Sequence, residues 1–149
     1  MAANPNWSRW IYSSLAGHLH DAAGAIPALV EGVEDRTDAF MQAPERAEIR
    51  VNGPIANELS HDYWRLDVFA NVVVTVQFGN PYRIQEIAGL FQAEMDEPVE
   101  VKQFGGDESH VGCLSPGKIT ITHFGQVDPT NRILQATVDC SYHIYLTGI

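Results

Sequence analysis

Residues 64–91, WRLDVFANVVVTVQFGNPYRIQEIAGLF, change periodicity in the middle. In its first half the apolar residues Trp64, Leu66, Val68, Ala70, Val72, Val74, Val76 and Phe78 recur at every second position, the repeat of a strand with one buried face. The opposite positions change character along the strand, from Arg65, Asp67 and Asn71 to Val73 and Thr75. Gly79-Asn80-Pro81 ends that repeat: Asn can accept a bond from a free N–H of a first helical turn, and Pro at that turn loses no needed donor. Beyond it Ile84, Ile87, Ala88, Phe91 and Met95 recur at three- and four-residue steps, the repeat of an amphipathic helix, until Asp96-Glu97-Pro98 stops it. A long strand delivered straight into a helix sets the class as α+β.

Working outward, Glu45–Val51 alternates as cleanly, with Ala47, Ile49 and Val51 on one face, and Asn52-Gly53-Pro54 reads as its break. Paired with the long strand it predicts a hairpin whose far end, residues 52–60, protrudes as an arm. The first helix is expected from about Pro5 to Ala23, with Trp7, Trp10, Ile11, Leu15, Leu19 and Ala22 along one stripe; the two tryptophans suit either the core or a neighbouring subunit. Ile26–Val33 is short and β-prone, and residues 34–44 read as a polar loop containing Phe40 and Met41. Three strands close the chain, over residues 99–104, 118–124 and 132–146, the last two joined by a turn at Asp128-Pro129-Thr130-Asn131. Between the first two of these lies Gly105–Gly117, rich in glycine and expected to be a mobile loop. The expected architecture is one α+β domain over residues 1–149: an antiparallel or mixed sheet flanked by two helices, with a long protruding hairpin, in the order α-β-β-β-α-β-β-β.

Composition narrows the function more by exclusion. With 45% hydrophobic and 19% charged residues the chain has a globular balance, and 149 residues suffice for one core. Nine Lys and Arg against nineteen Asp and Glu give a formal charge of −10, and the cations are scattered, so a phosphate backbone would be repelled. Two cysteines make no disulfide framework; both are expected to be free thiols, Cys140 in the core and Cys113 in the loop. No signal segment or membrane-length apolar run is visible, which predicts a protein made in the cytoplasm. Asn6-Trp7-Ser8 fits a glycosylation acceptor by spacing, but without a secretion signal it reads as chance.

The six histidines predict no metal site: His18 and His20 are two apart on a helix and diverge, while Cys140 and His143 face opposite sides of a strand. Gly112-Cys113 is the nearest thing to an activated nucleophile and has no base fixed by spacing. No glycine pattern cradles phosphate. No catalytic residue, cofactor or metal is therefore predicted, and the chain is not expected to be an enzyme.

The order of elements, the length, the acidity and the passage of strand into helix through Gly79-Asn80-Pro81 resemble the tail terminator proteins of tailed bacteriophages, over residues 5–146. The resemblance implies a structural virion protein, assembled in the host bacterial cytoplasm, that forms a homohexameric ring at the tail-to-head neck. Such a ring caps the tail tube, ends its polymerisation, and presents a surface to the head–tail connector or stopper protein, while DNA passes through the lumen without specific binding. On that expectation the arm and loops make the contacts with neighbouring subunits and tail, through Asn52, Ile55, Leu59, Phe40, Met41, Val111 and Leu114. Two rivals remain: another neck or tail-completion component, and a small ligand-binding α+β domain with its pocket between the second helix and the sheet.

Overall fold

The computed structural model describes residues 6–78, 80–103 and 110–147. They form a mixed α+β fold with one six-stranded sheet and three helices. In chain order these are α1 (Trp7–Ala22), β1 (Ala28–Val30), α2 (Asp38–Gln42), β2 (Glu45–Ser60), β3 (Tyr63–Gln77), α3 (Pro81–Met95), β4 (Val99–Lys102), β5 (His110–Asp128) and β6 (Ile133–Thr147). The strands lie in the order β1-β2-β3-β6-β5-β4; β1 runs parallel to β2 and every other pairing is antiparallel.

The sheet has a helix-covered face and a polar face, and the period-two pattern decides which residues go where. Leu66, Val68, Ala70, Val72, Val74 and Val76 of β3 are buried together with Leu134, Ala136, Val138, Cys140, Tyr142 and Ile144 of β6. Ile84, Ile87, Ala88, Phe91 and Met95 of α3 complete this core with Trp10, Ile11, Leu15 and Leu19 of α1. Trp10 is buried and Trp7 packs partly buried against the same cluster, so both tryptophans serve the core. Each Val, Leu, Ile, Phe or Met among them contributes about 1.5–3 kcal/mol on removal from water before conformational entropy is charged against it.

Polar groups at the seams are matched. Asn80 Oδ1 accepts from Tyr82 N–H at 2.8 Å, as a cap should. Ser14 on α1 accepts from the Lys102 N–H at 3.0 Å and so fastens the helix to β4. Tyr142, with no exposed surface, donates its hydroxyl to the Met95 carbonyl at 3.2 Å, near the end of α3. Burial pushes the Tyr142 hydroxyl and the Cys140 thiol above their ordinary pKa values, so both stay neutral.

Several expectations need correcting. The expected loop at residues 34–44 contains α2, because Thr37 Oγ1 caps it by accepting from Phe40 N–H at 3.2 Å with Asp38 in its first turn. The element order therefore has three helices, not two. Asn52-Gly53-Pro54 does not end the strand: β2 runs on to Ser60, and a bulge between Asn52 and Ile55, with Gly53 at φ 100°, absorbs the irregularity. The strand expected from residue 118 begins at His110, so residues 110–117 of the expected Gly105–Gly117 loop are strand; residues 104–109 lie outside the described ones. Leu114 was expected in a contact loop. It sits in β5 opposite Val99 with no exposed surface, a core residue of this chain, because the alternation of β5 starts earlier than its glycines suggest.

Candidate interaction surface

The polar face of the sheet is where the bulge in β2 matters. Before it, Glu48, Arg50 and Asn52 lie opposite Val73, Asn71 and Phe69, all on the polar face. An uninterrupted alternation would send Ile55 to the helix side. The bulge adds a residue to β2, so Ile55 pairs with Asp67 and Asn57 with Arg65, again on the polar face. A second irregularity between Glu58 and Ser60 holds Leu59.

The result is a cluster of large exposed side chains at the β2–β3 hairpin end. Ile55 is 53% exposed, Leu59 55%, Tyr63 41%, Phe69 42% and Tyr145 43%, more apolar surface than a polar sheet face needs to carry. Tyr63 and Tyr145 stack with ring centroids 5.8 Å apart and planes 11° apart, and His143 meets Tyr145 edge-on at 5.6 Å. The Arg65 guanidinium lies 5.8 Å from the Tyr145 ring centroid. Arg65 also donates to Asp67 at 3.1 Å and to the Tyr145 hydroxyl at 3.3 Å, and the bond to Asp67 raises its pKa further. These contacts hold the rings in one arrangement before anything binds, which reduces the ordering cost of an interface.

Beside the cluster lies an open depression of about 480 Å³ lined by Arg50, Phe69, Asn71, Lys118, Asp139 and Ser141 among others. Asn71 Nδ2 donates to Asp139 Oδ1, while Asn71 Oδ1 is buried without a partner among the described residues. Arg50 is engaged by Glu31 at 2.5 Å and Glu48 at 3.7 Å, and Arg36 reaches Glu48 at 2.9 Å. Charges in the depression therefore largely cancel locally. Among the described residues no group of three His, Cys, Asp or Glu is placed to hold a metal ion, and no helix is long and apolar enough to cross a membrane.

A second group of exposed apolar residues occupies the opposite end of the sheet. Phe78, expected on the buried face of the long strand, instead follows the end of β3 with its backbone turned to φ 57° and lies exposed; Tyr82 opens α3, and Phe124 and Val127 sit near the β5–β6 turn. The turn itself is built by Asp128, whose Oδ1 accepts from the N–H groups of Thr130 and Asn131 at 3.1 and 3.3 Å; the Asn131 side chain and these N–H groups hold its carboxyl below the usual range.

The structure thus separates the seven residues singled out from sequence. Asn52, Ile55 and Leu59 come together at the bulged end of β2. Phe40, half-buried, and Met41, exposed, lie apart on α2. Val111 packs partly buried against the core beside β4, and Leu114 belongs to the core. Tyr63, Phe69 and Tyr145 were missed as members of the surface. The signal was present: each is a large ring at a position where the alternation calls for a polar residue, Phe69 between Asp67 and Asn71 most clearly.

No family model and no curated protein matches the chain. One solved structure aligns with 95% of this chain and 95% of its own at 18% identity, with a TM-score of 0.45. A likeness of that size bears on neither fold nor function.

Proposed function

We propose that this chain is an assembly subunit whose working form is a ring of its own copies, and that the ring caps a bacteriophage tail tube. The observation that carries the reading is the run of exposed large side chains Ile55, Leu59, Tyr63, Phe69 and Tyr145 along β2, β3 and β6, with Tyr63 and Tyr145 already stacked, from which a monomer gains nothing. The mechanism is geometric rather than covalent. One ring face offers the contacts a tube subunit would make, the other offers a connector or stopper protein a different surface, and elongation ends where this protein sits. A ring of acidic chains, each of formal charge −10, suits a lumen through which DNA slides without sticking. The site of action on this reading is the neck of the virion, reached from the host cytoplasm.

The depression at Arg50, Asn71 and Asp139 supports a small-ligand reading less well. It is open, its charges cancel, and its largest apolar wall, Phe69, belongs to the exposed cluster.

Light scattering across protein concentration and salt tests the proposal, with tail tubes added in a parallel series. The expected result is a discrete mass near six times 16.5 kDa. A mass of one chain throughout, unchanged by tubes, removes it.

A further inference from the structure

The sheet has two incompletely covered edges, each along one of its long strands. On one side β1 pairs with β2 only at Ala47–Ile49, so among the described residues no strand covers the outer edge of β2 over Val51–Ser60. On the other side β4 pairs with β5 only from His110 to Leu114, so among the described residues no strand covers the outer edge of β5 over Ser115–Asp128. Uncovered edges present rows of backbone donors and acceptors, and proteins normally shorten, charge or cover them. Here Pro54 and Pro116 each remove one donor near an end of these stretches, and the runs Ile55–Ser60 and Ile119–Asp128 contain no other proline apart from the turn that follows.

Resting on the assembly reading above, we infer that the uncovered edge of β2 in one copy pairs antiparallel with the uncovered edge of β5 in the next, continuing the sheet from copy to copy. Direction is the first support. β2 and β5 run oppositely within one sheet, since β2 is antiparallel to β3, β3 to β6 and β6 to β5. Copies in the same orientation, each slid along the strand direction by several residues because the registers within one chain put Ile55 level with Ser115, therefore bring β2 and β5 together as an antiparallel pair, with the polar face continuous across the joint.

Length is the second support. β1 bounds the free stretch of β2 at one end and the hairpin turn bounds it at the other; β4 and the Asp128 turn bound that of β5. The ten-residue stretch of β2 fits inside the fourteen-residue stretch of β5 without meeting β4, and this confines Asn57 to a place opposite residues 118–122.

Self-pairing of two β2 edges would leave both β5 edges open. The β2-to-β5 contact is heterologous, covers both edges in every copy, and closes when the copies form a ring.

Cysteine pairing across the joint tests this. In a Cys113→Ser background, Asn57→Cys protein is mixed with Thr120→Cys or Thr122→Cys protein, assembled and oxidised; all three positions are exposed and on the polar face. A disulfide needs Cα atoms about 4.4–6.8 Å apart, so only residues nearly opposite each other will join. The expected product is a 57–120 or 57–122 link, and the double variants Asn57→Cys with Thr120→Cys or Thr122→Cys should give a covalent ladder that ends at the ring. Assembly by light scattering without either link, or a 57–57 link, overturns the edge pairing and leaves the ring reading standing. Absence of assembly with or without tail tubes overturns both.

Discussion

Leu114→Ala separates the two roles that sequence and structure assign to this residue. Leu114 has no exposed surface and pairs opposite Val99 in the cluster that also holds Met95 and Tyr142. Truncation removes three carbons and leaves a cavity that β4 and β5 can only partly close, a change that costs about 2–5 kcal/mol. A domain of this size has about 5–15 kcal/mol in total, and each kcal/mol moves its melting temperature by roughly 2–4 °C, so a fall of roughly 4–20 °C is expected. The assay is thermal unfolding followed by far-UV circular dichroism, paired with light scattering. Both proteins must be compared at one concentration low enough for a single assembly state, since association raises apparent stability. A melting temperature within a degree or two of the parent, with loss of the assembled form, would refute the reasoning and return Leu114 to the contact surface.

Two further changes test how the elements are held. Asn80→Ala removes the acceptor for Tyr82 N–H and should cost about 0.5–2 kcal/mol in urea unfolding, with Asn80→Asp retaining most of it; equal stability of the Ala variant would deny the cap a role. Arg83 grips Glu45 through two bonds of 2.6 and 2.9 Å, and the Arg83 guanidinium holds the Glu45 carboxyl below its usual value of 4.5. A carboxyl depressed in the folded state stabilises the fold above its unfolded pKa and ceases to do so as pH falls through the folded one. The urea midpoint of Glu45→Gln should therefore lie below that of the parent at pH 7, with the gap narrowing once the pH drops beneath the ordinary Glu range; a gap independent of pH would exclude the ion pair as its cause.

The regular parts of this fold were legible because a single physical repeat governed each. β3 buries one face along its whole length, so its alternation is unbroken, and α3 carries both a cap and a clean stripe. The misses fall where two influences compete. At residues 52–54 the local signals of Gly and Pro say break, but β3 supplies a paired partner on both sides of the interruption, and the sheet absorbs it as a bulge. In β5 the glycines at 112 and 117 suggested a loop. They are instead places of close approach: a Cβ at Gly112 would stand 2.9 Å from Ile144 Cδ1, and one at Gly117 2.8 Å from Ser141 Oγ. The glycines are there because neighbours crowd the strand, which no reading of local propensity could supply.

The interaction surface shows the same division. Its aromatic members were visible as violations of an alternation, one residue at a time, whereas their union depends on the bulge that turns Ile55 to the side of Phe69 and Tyr145. The bulge thus decides which face each residue beyond it shares. Were residues 52–56 paired in unbroken alternation instead, Ile55 would face the helices and Ala56 the polar face. The surface would lose Ile55 and the free edge of β2 would shift by one residue against any partner strand. A bulge kept at the cost of local strand regularity is best understood as fixing which side chains a neighbouring molecule meets.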